Sequence, residues 1–349
     1  MTTEGTLARL GFGDPHRAAE TLQAWSGTHG DACDTLISEL LAAPDPDLAL
    51  NGLTRLTAVR PEMLGQLVAE PQWGFRGCRV LGASVALNQY LGAHPGDVDV
   101  LRGSIERRSA ADLRTTLLDA VGAEPQVDAP VADPARSDDL RRAYRREVLR
   151  IAARDLTSED PLAELPEVAG ELADLADATV EAALALARGE VPGWPNVRLA
   201  VIALGKTGGQ ELNYVSDVDV LYVAEPALDD AGEPVCGSAE AITVATKLAG
   251  ALARVCSAHT AAGTIWPIDA ALRPEGKNGP LVRSLASHQA YYEKWAKNWE
   301  FQAMLKARAM AGDRALAAEF VAMVAPKVWR VAENDQFVSE TQAMRRRVI

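Results

Sequence analysis

Two short apolar runs, separated by a glycine-rich turn and an Asp-x-Asp pair, leave this chain few choices between Val197 and Val223, which reads VRLAVIALGKTGGQELNYVSDVDVLYV. Val197–Leu204 is rich in branched side chains and is stopped by Gly205, so a buried strand is predicted there. Val218–Val223 has the same character. Side chains alternate across a strand, so Asp217 and Asp219 point to one side. Carboxylates held that close repel each other unless a cation lies between them. Mg²⁺ suits the place, because it takes oxygen ligands and often combines one or two carboxylates with phosphate oxygens. Gly205, Gly208 and Gly209 let backbone N–H groups crowd toward an anion, with Lys206 among them. Gly205-Lys206-Thr207 looks like the end of a P-loop, but that motif needs glycine at position 200, where Ala200 stands. Turn and cap chemistry is the plain alternative for Asp-x-Asp at a strand mouth. The glycine turn and the two flanking strands favour a phosphate and metal site.

Composition narrows the class. The 349 residues carry a net charge of -13 and are 48% hydrophobic, enough for the cores of two or three domains. The acidic balance argues against nucleic acid and against an anionic membrane surface. No signal peptide follows Met1 and no apolar run reaches spanning length, so no membrane role and a cytoplasmic location are expected. Cys33, Cys78, Cys236 and Cys256 are scattered without a Cys-x-x-Cys pair, which argues against zinc and for reduced thiols. His259 reads as a cap or surface residue.

Helical spacing dominates from Met1 to about Ala120, with Leu81–Leu87 expected to continue as one packed helix. Asp97-Val98-Asp99 has no glycine turn and follows His94-Pro95-Gly96, so it reads as turn and cap. Residues 123–139 are rich in Ala, Pro and Asp and are expected to be a mobile surface loop. In Leu140–Asp155 an apolar stripe of Leu140, Tyr144, Val148 and Ile151 leaves arginines on the other faces; Arg142, Arg145 and Arg146 are candidates for a nucleotide or an acidic partner. Leu165–Arg188 is a long helix ended by Gly189 and Pro192. A helix is expected over Ser238–Ala262, then a third strand over Thr264–Asp269, at an edge or irregular because of Pro267. That strand would bring Asp269 beside Asp217 and Asp219 as a third carboxylate. Tyr291–Arg308 reads as helical, with Trp295 and Trp299 expected in the core, and the chain stops at Arg345-Arg346-Arg347-Val348-Ile349 inside a helical pattern, as a fragment would. The regions expected are helical over 1–190, α/β over 191–285 and helical over 286–349.

Gly205-Lys206-Thr207-Gly208-Gly209-Gln210-Glu211-Leu212-Asn213, followed by Ser216-Asp217-Val218-Asp219, resembles the nucleotidyltransferase motif of the bifunctional glutamine synthetase adenylyltransferase/adenylyl-removing enzymes of the DNA polymerase β-like superfamily. Asp269 to Gly276 resembles the family's Asp-x-x-Leu-Arg-Pro-x-Gly run, although Ala271 stands where many relatives carry arginine, and Trp299-Glu300-Phe301-Gln302-Ala303 with Lys306-Ala307-Arg308 is similar to its helix after the sheet. The resemblance covers nearly the whole chain and is to the N-terminal, adenylyl-removing half, of the actinobacterial type. It implies an α+β fold, a mixed nucleotidyltransferase sheet embedded in a largely helical protein. It implies Asp217, Asp219 and Asp269 as catalytic Mg²⁺ ligands, and Gly205, Lys206, Gly208, Gly209, Ser216, Arg273, Lys277, Lys306 and Arg308 as contacts to nucleotide or phosphate. The implied reaction is phosphorolysis of the AMP–tyrosine bond on adenylylated glutamine synthetase, giving ADP and regulating nitrogen assimilation. Glutamine synthetase, ATP or ADP, phosphate and a PII-type nitrogen signal protein are the implied partners. The alternatives are transfer of AMP from ATP to glutamine synthetase, a nucleotidyltransferase with another substrate, and an inactive regulatory module, against which the three acids speak.

Overall fold

Short polar side chains start the helices of the N-terminal part. Asp14 accepts the N–H of Arg17, Asp45 that of Leu48, and Ser109 that of Asp112, each satisfying a donor that the first helical turn leaves free. The computed structural model describes residues 3–332 together with Gln342 and Arg346. The C-terminal run Arg345–Ile349, read as the interior of a helix, lies outside the described residues apart from Arg346. Helices α1 (Glu4–Arg9), α2 (Pro15–His29), α3 (Asp34–Leu41), α4 (Pro46–Val59), α5 (Met63–Ala69), α6 (Pro71–Ala83), α7 (Val85–Ala93) and α8 (Ala110–Val121) fill the expected helical lead-in. The single helix expected across Leu81–Leu87 is two. Ser84 is extended (φ -141°, ψ 114°), which ends α6, and its hydroxyl accepts the Leu87 N–H, which caps the start of α7. Asp97 accepts the Tyr90 hydroxyl and Asp99 pairs with Arg60 at 3.1 Å inside a 3₁₀ turn, so this second Asp-x-Asp is structural, as expected.

Helices α9 (Ser137–Thr157) and α10 (Pro161–Glu190) follow. Leu140, Tyr144, Val148 and Ile151 are buried as predicted, but so are two arginines. Arg141 donates to the Val255 carbonyl and to Asp138, while Arg150 pairs with Glu147 and donates to the Glu106 carbonyl. Buried charge has to be paired, and here it is. Arg142 pairs with Asp139, and Arg146 lies 3.7 Å from Asp97. The stretch expected as a mobile surface loop, 123–139, is irregular and largely exposed over 123–133 and then gives way to a 3₁₀ turn and α9. Ala132 N–H bonds the Ala185 carbonyl, Arg188 donates to the Pro130 carbonyl, and Ser137 already opens α9.

Among the described residues five strands make one mixed sheet, in the order β3-β2-β1-β5 with β4 also paired to β2. They are β1 (Val197–Ala203), β2 (Val218–Pro226), β3 (Ile268–Asp269), β4 (Val282–Arg283) and β5 (Arg308–Gly312). The chain is therefore α+β. Between them lie α11 (Gly205–Gly208), α12 (Ser238–Ser257), α13 (Leu285–Lys294) and α14 (Asn298–Ala303), and α15 (Arg314–Ala332) follows β5. β1 is antiparallel to both β2 and β5, and β3 and β4 run parallel to β2. β1 is covered on both faces, which is why its sequence is continuously apolar rather than alternating. Ala200, Ile202, Leu221 and Val223 pack with Tyr292, Phe301, Leu316 and Phe320 from α13, α14 and α15. Each large side chain buried there contributes about 1.5–3 kcal/mol.

Two predicted helices are shorter than their patterns. α12 ends at Ser257, not Ala262, because Ala258 is extended and Thr260 bonds across a turn to Gly263. Tyr291–Arg308 breaks before α14. Buried Glu300 accepts both the Lys297 N–H (2.8 Å) and the Tyr291 hydroxyl (2.8 Å), which starts a fresh helix there, and Arg308 opens a strand. Trp295 is 73% exposed rather than core. The chain divides into two compact units, Met1–Arg107 with Arg145–Val168, and Arg108–Tyr144 with Ala169–Ile349. This differs from the three consecutive regions expected, since α13–α15 share the core of the sheet. No helix among the described residues is long and apolar enough to cross a membrane.

His288 on α13 sets an acid limit on this core. Its Nε2 donates to the Tyr222 carbonyl at 3.3 Å and its ring packs edge-on against Phe320. Burial holds its pKa down at about 4. The unfolded chain binds this proton below about 6.5, so the stability is complete above that pH and is lost as pH falls toward 4, by about 3 kcal/mol. His288→Gln keeps a donor without titrating. In urea melts at pH 7 and pH 4.5 it should lose about that much less stability than the native chain; equal losses would rule His288 out.

Candidate active site

The antiparallel hairpin of β1 and β2 puts the end of one strand beside the start of the other. Ala203 lies opposite Val220, and Leu204 N–H bonds the Asp219 carbonyl at 2.9 Å. Asp217 and Asp219 share the side of β2 that carries Leu221 and Val223, so the carboxylates continue the core face to the sheet's end. β3 then pairs in parallel with Asp269 opposite Asp219. The result is the predicted trio: one carboxylate oxygen each of Asp217, Asp219 and Asp269 lies within 4.8 Å of the others. Asp217 is exposed and the other two are half-buried. Asp269 Oδ1 also accepts the Ala271 N–H at 2.7 Å, which fixes its rotamer. Burial first, and then the charges of Asp217 and Asp269, push the Asp219 carboxyl up to about 6 against the opposing charge of Lys206. An all-oxygen, triply anionic donor set of this kind fits a hard divalent cation such as Mg²⁺.

The glycine turn is a single helical turn, α11, and its glycines serve differently from the cradle expected. The N–H groups of Gly208 and Gly209 are spent on the carbonyls of Leu204 (2.7 Å) and Gly205 (3.1 Å). Among the described residues the N–H groups of Gly205, Lys206 and Thr207 have no hydrogen-bond partner recorded in the fold, as at any helix start. Gly205 has φ +53°, and a Cβ there would sit 2.2 Å from Asp219 Oδ2. A Cβ on Gly208 would sit 2.3 Å from the Lys306 carbonyl, and one on Gly209 would meet the Lys306 side chain. These two glycines therefore admit the chain that enters β5. Ser216 Oγ donates to the Asp217 carbonyl at 2.9 Å, at the rim of the trio.

The remaining cations differ in how far they are committed. Lys206 and Lys277 are exposed. Arg273 donates to the carbonyls of Ala270, Lys277 and Gly279 and so closes the 270–279 loop with backbone acceptors rather than a salt bridge. Lys306 pairs with Glu211 at 2.6 Å. Arg308 is held by Asp177 on α10 and by the Thr207 carbonyl. Sequence reading did not find Asp177, and it took Glu211 only as part of the motif, with no role of its own. Asp177 lies in the apolar setting Leu175-Ala176-Asp177-Ala178, an acid inside a buried helix, and that mismatch was the available signal.

Residues 76–323 match the family described as glutamate-ammonia ligase adenylyltransferase. A bifunctional glutamine synthetase adenylyltransferase/adenylyl-removing enzyme of Cutibacterium acnes is 53% identical over 355 residues, covering 98% of this chain and 35% of that protein. The protein of the same name from Streptomyces avermitilis is 48% identical, covering 100% of this chain and 34% of its own length. The one from Streptomyces coelicolor is 49% identical, covering 98% and 33%. The chain thus spans about a third of the length of these relatives. On the strength of a match over most of its length, this chain belongs to the glutamate-ammonia ligase adenylyltransferase family.

Proposed function

We propose that this chain removes AMP from a tyrosine of glutamine synthetase by phosphorolysis. The observation that carries the reading is the convergence of Asp217, Asp219 and Asp269 beside the turn that begins at Gly205. The three carboxylates would hold Mg²⁺, which when bound offsets the negative charge of phosphoryl oxygens. The N–H groups of Gly205, Lys206 and Thr207 and the Lys206 ammonium would bind phosphate oxygens and aim them at the acids. Inorganic phosphate attacks the phosphorus of the AMP group in line. The bond from phosphorus to the tyrosine oxygen breaks, ADP forms, and the tyrosine oxygen regains a proton. No enzyme nucleophile is required, since position and charge carry such displacements. The exposure of Asp217 suits a substrate that is a side chain on another protein's surface.

Removal is preferred to addition because a long helical lead-in precedes the motif, in resemblance to the adenylyl-removing half. ATP or ADP and a PII-type nitrogen signal protein are further partners that this reading implies. The test supplies the chain with adenylylated glutamine synthetase, Mg²⁺ and phosphate. ADP should appear only when phosphate is present. AMP incorporation from ATP without any phosphorolysis would assign addition instead, and transfer to small alcohols would point to another substrate class.

A further inference from the structure

Arg308, placed by sequence among the phosphate contacts, has other work in the fold. It opens β5 opposite Ala203, the last residue of β1 before the glycine turn. Its Nη2 donates to the Thr207 carbonyl at 2.9 Å and to Asp177 Oδ1 at 3.0 Å, while Nη1 donates to Asp177 Oδ2. Both side chains are largely buried, at 25% and 20% exposure. Thr207 itself is 1% exposed. Its carbonyl belongs to the far end of the turn whose near end, Gly205, lies so close to Asp219 that an added Cβ would sit 2.2 Å from its Oδ2, and Leu204 N–H just before it bonds the Asp219 carbonyl at 2.9 Å. The neighbouring link between Lys306 and Glu211 is 45% and 61% exposed, and pairs of that kind hold little. A two-point guanidinium–carboxylate fork is both stronger and more directional.

We propose that Asp177 and Arg308 are a positioning pair, which holds the glycine turn by the Thr207 carbonyl and thereby sets where Asp219 stands. The pair touches no reacting atom. It rests on the reading of the site as a nucleotidyl-transfer centre, and its test is built to fail separately. Arg308→Ala, Asp177→Asn and the double variant are compared with the native chain. If the pair acts as one unit, each single variant loses about 10²-fold in kcat with KM for phosphate little changed, and the double variant is no worse than either. Mn²⁺ affinity, read by electron paramagnetic resonance without substrate, falls about tenfold in all three. Added methylguanidinium restores part of the kcat of Arg308→Ala and none of that of Asp177→Asn.

A raised KM for phosphate in Arg308→Ala alone, with Asp177→Asn behaving as native, would return Arg308 to the phosphate and overturn the proposal. Additive losses in the double variant would overturn it as well. If the native chain releases no ADP, the functional reading fails, while the Mn²⁺ affinities of the same variants still decide the positioning role. Should Arg308→Ala lose its helical circular dichroism, Arg308→Lys takes its place. It keeps the charge without the fork, and the same loss of kcat is expected.

Discussion

Asp219→Asn is expected to abolish turnover and, at the same time, to raise the melting temperature of the metal-free protein at pH 8. Both effects come from the same crowding. Asp219 lies beside Asp217 and Asp269, and its carboxyl is pushed up to about 6 by burial and by those two charges. An acid whose pKa is raised in the fold binds its proton more tightly folded than unfolded, so ionising it there opposes folding. The penalty is absent near pH 4, grows as pH rises through about 6, and is complete above it. Asparagine carries no such penalty. The advantage of the variant should therefore be absent near pH 4, grow as pH rises from about 4 to about 6, and stay at its full size above that. Added Mg²⁺ should reverse the order, raising the melting temperature of the native protein and leaving the variant unmoved. Loss of one ligand should lower kcat by about 10³-fold or more, at about 1.4 kcal/mol of transition-state stabilisation per decade. Thermal melts from pH 4 to pH 8, with and without Mg²⁺, together with ADP release, check all of this. A variant that melts below the native protein at pH 8 would mean that the three acids do not strain the fold.

Gly205→Ala should do comparable damage by steric means. The residue sits at φ +53°, where an L side chain costs about 1–2 kcal/mol, and its new Cβ would lie 2.2 Å from Asp219 Oδ2. The contact can be relieved only by moving the turn or the carboxylate. A displacement near 1 Å at a catalytic group costs about 10²-fold in rate. The melting temperature should fall by only about 2–5 °C, because the strain is local. Gly209→Ala is the control. Its Cβ would meet the far end of the Lys306 side chain, which can swing aside, so activity should stay within a few-fold of native. Equal losses at the two positions would show that the turn tolerates no methyl group anywhere, and would remove the special pressure on Asp219.

Much of this site was legible because the physics that writes it is local. Asp217 and Asp219 sit two apart at the mouth of a strand, and a period of two puts them on one side whatever the tertiary structure. Asp269 could be read because the third strand, although only Ile268–Asp269 is regular, is recognisable from its apolar residues and Pro267. The resemblance read from these motifs agrees with the family to which the chain belongs. Contacts between distant residues were not legible. Arg308 and Asp177 are 131 residues apart, and no spacing in the sequence ties them together. The helix breaks at Ser84 and before Glu300 escaped because a side chain bonded to backbone outweighed an apolar period that ran straight through them. Residues 123–139 looked mobile by composition, and what composition could not show is that the Ala132 N–H and the Pro130 carbonyl are bonded to α10.

The margins of the sheet have a consequence for how copies of this protein behave in a crowded solution. Along one side lie only the two-residue strands β3 and β4, with Pro267 before the first and the charge of Asp269 at its tip. On the other side, the last N–H of β5, that of Gly312, is taken by Glu181 at 2.7 Å. A long bare margin would template fibre growth by strand addition. Among the described residues the β3 and β4 side offers no long run of backbone for a second molecule to pair with, and the charge of Asp269 stands at its tip, so a carboxylate of the candidate site also guards that margin against strand addition.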